Sequence, residues 1–171
     1  MFTNEEKLEF LACDNFQKFQ SFIDNYDINK IDKSDNNILH YYLKNIESFN
    51  LDAEKVIKEM VKQGLNINAQ SSKGKLKDTP LSIAVQQDLK DIFDLLIDLG
   101  ANVNATVDNG NSVLFLSVMN YRGENGYFIE RLIIKGADIY RKNDYGVSPF
   151  SLAATIANYD VKKFFHESNL N

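Results

Sequence analysis

Residues 78–105 read DTPLSIAVQQDLKDIFDLLIDLGANVNA, and this stretch decides the fold. Thr79 is an N-cap and Pro80 the first helical residue: the hydroxyl accepts a free backbone N–H, and proline has no N–H to leave unpaired there. Leu81, Ile83, Ala84 and Val85 continue a short helix. Gln86, Gln87 and Asp88 break it. Leu89, Ile92, Phe93, Leu95, Leu96 and Ile97 then recur at the i, i+3, i+4 spacing of one buried helical face. Gly100 stops that second helix, because glycine accepts the left-handed turn that closes a helix. Two short antiparallel helices and a turn cannot bury their apolar faces alone, so the unit requires copies of itself on either side.

The copies are present. The turn recurs as Gly64-Leu-Asn-Ile-Asn-Ala69, Gly100-Ala-Asn-Val-Asn-Ala105 and Gly136-Ala-Asp-Ile-Tyr140, each 36 residues after the last, with a weaker form at Asn25-Tyr-Asp-Ile-Asn29. The helix start recurs as Asn37-Ile-Leu-His40, Thr79-Pro-Leu-Ser82, Ser112-Val-Leu-Phe115 and Ser148-Pro-Phe-Ser151. These motifs resemble the ankyrin repeat, whose pattern runs roughly D-x-x-G-x-T-P-L-H-x-A, a second helix ending in L-L, then G-A-D-V-N-A. The resemblance extends from about residue 15 to the C-terminus. It implies an all-α solenoid of about five helix-turn-helix repeats with β-hairpin-like fingers and divergent terminal caps.

On that reading residues 1–171 are a single domain, of ordinary size for 171 residues. Residues 1–33 are an N-terminal cap, 34–70, 71–105 and 106–141 internal repeats, and 142–171 a C-terminal cap. Thr3 caps the first helix, with Leu8, Leu11 and Ala12 inward; Phe16, Phe19, Phe22 and Ile23 mark the second. Asp35 takes the finger glycine's slot, and Leu39, Tyr42 and Leu43 face the core. An insertion of about six residues around Ile46 to Ala53 delays the next helix, which Asp52 caps and which carries Val56, Ile57, Met60 and Val61. Residues 71–77 form an enlarged basic finger with Gly74 at its tip, and Asp108-Asn-Gly110 is a turn. Leu114, Leu116 and Val118 are inner; Tyr121 to Gly126 lengthens a loop; Phe128, Ile129, Leu132 and Ile133 are outer. In the last repeat Phe150, Leu152, Ala153 and Ala154 are inner, and Val161, Phe164 and Phe165 outer.

Charge and composition narrow the function classes. Net charge is −5, from 19 basic and 24 acidic residues. Phosphate binding wants clustered Lys and Arg, so nucleic acid and anionic membranes are disfavoured and a basic partner is favoured. No apolar run approaches the roughly 20 residues that span a bilayer, and the N-terminus lacks the basic and apolar regions of a secretory signal. Cys13 is the single cysteine, which permits no internal disulfide and fits a reducing cytoplasm. Twelve Phe and eight Tyr with no Trp point to an AT-rich genome.

No constellation for catalysis, cofactor or metal emerges. His40 occupies the histidine slot of the repeat, where the resemblance implies a structural bridge between turns. His166 follows two aromatic core positions, away from Cys13 in any metal-ligand spacing. Ser82, Ser112 and Ser148 are explained by capping. Asp91 and Asp94 fall on the solvated side of an outer helix. Lys73, Lys75 and Lys77 lack the aromatic platforms of a nucleic-acid site. No glycine pair makes a phosphate-cradling loop, and the triplet Asn104-Ala-Thr106 is read as no glycosylation site.

A binding surface remains. The resemblance implies a cupped stack in which fingers and inner helices face the partner. Mapped onto this chain, the partner-binding positions are Lys44 and Asn45, Leu76, Gln86 and Gln87, Asp108 and Asn109, Met119 and Asn120, Asp144 and Tyr145, and Thr155 and Ile156. Leu76, Met119, Tyr145 and Ile156 are apolar or aromatic at slots open to water, the residue types favoured as interface anchors. The expected function is non-enzymatic protein binding by a free monomer, in the form of an immunity protein or antitoxin that occludes a basic toxin. A bacterial effector with a host protein as target and a scaffold fragment are the alternatives.

Overall fold

Helix caps set every inner helix at the same point of its repeat. The structure, a computed structural model, describes residues 1–72, 77–123, 126–156 and 160–165. Its helices are α1 (Asn4–Leu11), α2 (Phe16–Ile23), α3 (Ile38–Lys44), α4 (Ala53–Lys62), α5 (Pro80–Gln86), α6 (Lys90–Asp98), α7 (Val113–Asn120), α8 (Tyr127–Ile134) and α9 (Pro149–Thr155), followed by a 3-10 turn at Val161–Phe165. Thr3, Asn15, Asn37, Asp52, Thr79, Ser112 and Ser148 each accept a backbone N–H at a helix start. Thr79 and Ser82 cap reciprocally, as do Ser148 and Ser151.

The elements pair as α1/α2, α5/α6, α7/α8 and α9 with the 3-10 turn, and α4 follows α3 after the inserted segment. Inner helices stack in sequence, α3 on α5, α5 on α7 and α7 on α9, while outer helices pack α2 on α4 and α4 on α6. One continuous core runs through the stack. In α5 every residue from Pro80 to Val85 is buried, because this helix has a neighbour on each side. No strand forms among the described residues; the fingers close through pairs such as Val107 N–H to Asn111 O and one antiparallel bridge, Thr106 to Ser112.

Turn chemistry repeats with the same regularity. Gly64, Gly100 and Gly136 all have positive φ. At the central one, Gly100 N–H bonds Ile97 O at 3.0 Å and Ala101 N–H bonds Leu96 O at 2.9 Å, which satisfies the carbonyls that a helix end leaves unpaired. Asp35 adopts the left-handed conformation expected at the finger glycine's slot.

Three expectations are corrected. Leu8 and Ala12 are not inward but exposed; Phe10 is the buried residue of α1, packed on Phe19, Phe22 and Phe49, and Phe2 is buried against Tyr26 and Tyr41. Asp94 is not simply solvated. It accepts from Arg131 Nε at 2.9 Å and from the Tyr127 hydroxyl, tying α6 to α8; the Asp94 carboxylate holds the Tyr127 pKa above the usual phenol value. Phe150 and Ala154 are exposed although they sit on an inner helix. The equivalent Leu81 is buried because α7 covers it, and α9 has no further inner helix beyond it among the described residues. The basic tip at Lys73, Gly74 and Lys75, and His166 with the residues after it, lie outside the described residues.

Candidate partner-binding surface

The inner helices end in one row, and most of the partner-binding positions named from the sequence lie along it. Lys44 and Asn45 end α3, Gln86 and Gln87 end α5, Met119 and Asn120 end α7, and Thr155 and Ile156 end α9. The side chains of Lys44, Gln86, Gln87, Met119, Asn120 and Thr155 are exposed; Asn45 and Ile156 are half-buried. Met119, at 49% exposure, is the largest apolar side chain open along α7. Leu76 lies outside the described residues.

The row is not uniformly free. Asp78 draws the ends of α3 and α5 together: its carboxylate lies 3.3 Å from Lys44 Nζ and accepts from Gln86 Nε2 at 2.8 Å. Asn45 Nδ2 donates to Tyr41 O at 2.8 Å and so is occupied at its own helix end. Farther along, Thr155 Oγ1 donates to Leu152 O. Gln87, Met119 and Asn120 keep their exposed side chains clear of such cross-links among the described residues.

Two fingers form a second row. Asn109 takes a left-handed conformation in the 3-10 turn Asp108–Gly110. Its carbonyl accepts from Asp144 N–H at 3.0 Å, and its side-chain oxygen lies 3.4 Å from the Tyr145 hydroxyl. Asn143 Nδ2 also donates to Asn111 Oδ1 at 2.7 Å. The tip residues Asp108, Asn109, Asp144 and Tyr145 are therefore presented as one patch, with Tyr145 at 73% exposure.

A cavity of about 620 Å³ opens at the ends of α5 and α7, lined from the α5–α6 turn, the end of α7 and the start of α8. Leu116, Phe128 and Ile129 contribute apolar surface; Gln86, Met119 and Asn120 stand at its edge. It also takes in Asp88 and Arg122, which the sequence reading did not single out. Asp88 sits at the left-handed residue after α5. Arg122 Nη1 donates to Met119 O at 2.8 Å and Tyr121 O at 3.0 Å, which fixes the guanidinium at the C-terminal end of α7. The only signal for either residue in the sequence was its position just beyond an inner helix. A smaller cavity of about 390 Å³ lies one repeat earlier, beside Ile46, Glu47 and Ser48 of the inserted segment.

The groups that could carry chemistry are otherwise engaged. His40 is fully buried; Nε2 lies 3.1 Å from Asp78 O, and Nδ1 lies 2.7 Å from Asn37 Oδ1 and 3.3 Å from Asn37 N. Burial depresses its pKa and keeps the ring neutral. The histidine thus joins the start of α3 to the finger before α5, as a bridge between turns. Cys13 is buried, donates to Glu9 O at 3.5 Å, and has its pKa raised by burial, which disfavours the reactive thiolate. Among the described residues no His, Cys, Asp and Glu side chains gather into a metal-holding group, and no helix is long and apolar enough to cross a membrane.

The ankyrin-repeat family profile, which spans three copies of the repeat, matches residues 8–107 and again 46–143. The chain belongs to the ankyrin-repeat family. Ankyrin repeats are generally protein–protein interaction modules, and the family is typically non-enzymatic. The chain is 38% identical to an ankyrin repeat protein of Rickettsia bellii over 80 residues, which make up 46% of this chain and 11% of that protein. It is 31% identical to an ankyrin repeat protein of fowlpox virus over 112 residues, 63% of this chain and 31% of the viral one. This ankyrin chain therefore spans less than a third of the length of either relative.

Proposed function

We propose that this chain acts by binding another protein through the inner-helix ends and finger tips, without catalysis of its own. The observation that supports the reading is the pair of exposed apolar anchors on those rows, Met119 on α7 and Tyr145 at the finger tip. Large side chains at water-facing positions with polar neighbours are the usual hot-spot types of protein interfaces. The domain acts as one unit of five repeats, with residues 1–33 and 142–171 as its caps, and is a monomer when free.

The partner is a basic protein of the cytoplasm, and the chain occludes it as an immunity protein or antitoxin occludes a toxin. Net charge of −5 and the acids Asp108 and Asp144 at the finger patch suit a basic surface, since opposite charge accelerates encounter. Nucleic acid and membrane surfaces are disfavoured by the same charge. Affinity capture from lysate of the source organism, followed by titration calorimetry with the purified partner, tests this. One stoichiometric basic protein whose affinity drops at least tenfold on Met119→Ala or Tyr145→Ala is the expected result. A partner equally bound by both variants refutes the assigned surface.

A further inference from the structure

The geometry points to the cavity between α5–α6 and α7–α8 as a docking groove for an extended peptide segment carrying an apolar side chain beside a carboxylate. This rests on the protein-binding reading and specifies which part of a partner enters the groove. Arg122 is the cation that decides it. Its Nη1 is spent on two backbone carbonyls, Met119 O and Tyr121 O, so the guanidinium is oriented before any ligand arrives. Nε and Nη2 have no partner among the described residues, and together they form the fork that grips a carboxylate through two parallel hydrogen bonds. Fixing the fork in advance removes part of the ordering cost of binding.

The floor next to that fork is apolar. Leu116 and Ile129 are buried lining residues, Phe128 is half-buried, and the exposed Met119 beside them is an adaptable thioether that repacks around aliphatic groups. The amides of Gln86 and Asn120 at the edge can pair with the backbone of an extended chain. Asp88 also lines the cavity, with Lys90 Nζ 3.7 Å from its carboxylate, and a carboxylate there disfavours a second acidic side chain. One repeat earlier, the segment Ile46–Ser48 borders a cavity of only 390 Å³ against 620 Å³ here. The larger groove therefore lies at the α5/α7 step, next to an arginine placed two residues beyond the end of an inner helix. A basic partner and an acidic docking residue are compatible: net charge acts over a Debye length, whereas Arg122 reads a single contact.

The test uses the full 15N-labelled chain and three capped pentapeptides, acetyl-Gly-Leu-Glu-Leu-Gly-amide and its Gln and Lys counterparts, titrated to about 10 mM. Expected are amide shifts centred on Met119, Asn120, Arg122 and Phe128, with the Glu peptide binding at least fivefold tighter than the Gln peptide and the Lys peptide weakest. Arg122→Gln should erase the Glu-over-Gln preference, Arg122→Lys should retain part of it, and Met119→Ala should weaken the Glu and Gln peptides alike. No shifts at the groove, or equal affinity for the Glu and Lys peptides, overturns the proposal. Failure of the groove is separable from failure of the protein-binding reading. A captured partner whose affinity falls with Tyr145→Ala but is untouched by Arg122→Gln and Met119→Ala refutes the groove alone; the absence of any protein partner refutes the module reading while leaving the peptide result to stand or fall by itself.

Discussion

His40 carries the clearest single-residue consequence. Folding buries a ring whose ordinary pKa is about 6.5 and lowers that value, because burial penalises the charged form. As pH falls through about 6.5 the unfolded chain takes up a proton that the folded ring refuses, so stability is full above that pH and declines towards the folded pKa. In a His166→Asn background, Tm should fall between pH 7.5 and 5.5, and His40→Gln should flatten the slope; an unchanged slope would remove His40 from the account. Tyr42 offers a second test. Its ring is fully buried against Phe10 and Phe49, and its hydroxyl has no hydrogen-bond partner among the described residues; burial pushes its pKa up to about 12. Tyr42→Phe should leave stability unchanged or raise it by about 1 kcal/mol, where loss of a bonded hydroxyl would cost a similar amount. Chemical denaturation distinguishes the two. The histidine bridge was legible because its slot belongs to a repeated motif, whereas the inward turn of Phe10 in place of Leu8 depended on the path of the first helix against α2 and α3, which no local pattern encodes.

At the scale of the element, the second Asn of the two central turns, Asn68 and Asn104, acts as a strut to the next repeat. Asn68 Nδ2 donates to Gly100 O and its Oδ1 accepts from Asn102 N–H; 36 residues later Asn104 makes the same pair of bonds to Gly136 O and Asp138 N–H. Asn104→Ala should therefore cost about 1–2 kcal/mol by denaturant titration, and a neutral result would show that the struts only decorate the turn. Tyr140 stands in this slot in the last turn and stacks on Phe150 at 5.3 Å instead. The strut's recurrence was visible as an alternation of Asn with apolar residues, but its bonding reach was not. Gly126 was less legible still: a bare glycine pair in a loop has no signature. A Cβ there would collide with the Phe164 ring, so Gly126→Ala should lower stability by about 1–3 kcal/mol through overpacking.

For the whole molecule, the period of 36 residues carried the architecture, since only a stack of like units buries faces that no single unit can. Stack-end effects were harder to foresee: Phe150 and Leu81 share a motif slot and differ in burial because only one of them has an inner helix on each side. The binding rows followed from the repeat register, but the groove at Arg122 did not, because it depends on how two loops approach each other. Steering by net charge predicts that raising ionic strength slows association with a basic partner while leaving dissociation nearly unchanged, readable by stopped-flow fluorescence. The most direct test of the protein-binding surface is hydrogen–deuterium exchange on the complex with a captured partner. Protection should concentrate at the ends of α5 and α7 and at the fingers around Asn109 and Tyr145. Protection confined to the outer helices α4, α6 and α8 would contradict the assignment and place the interface on the opposite side of the stack.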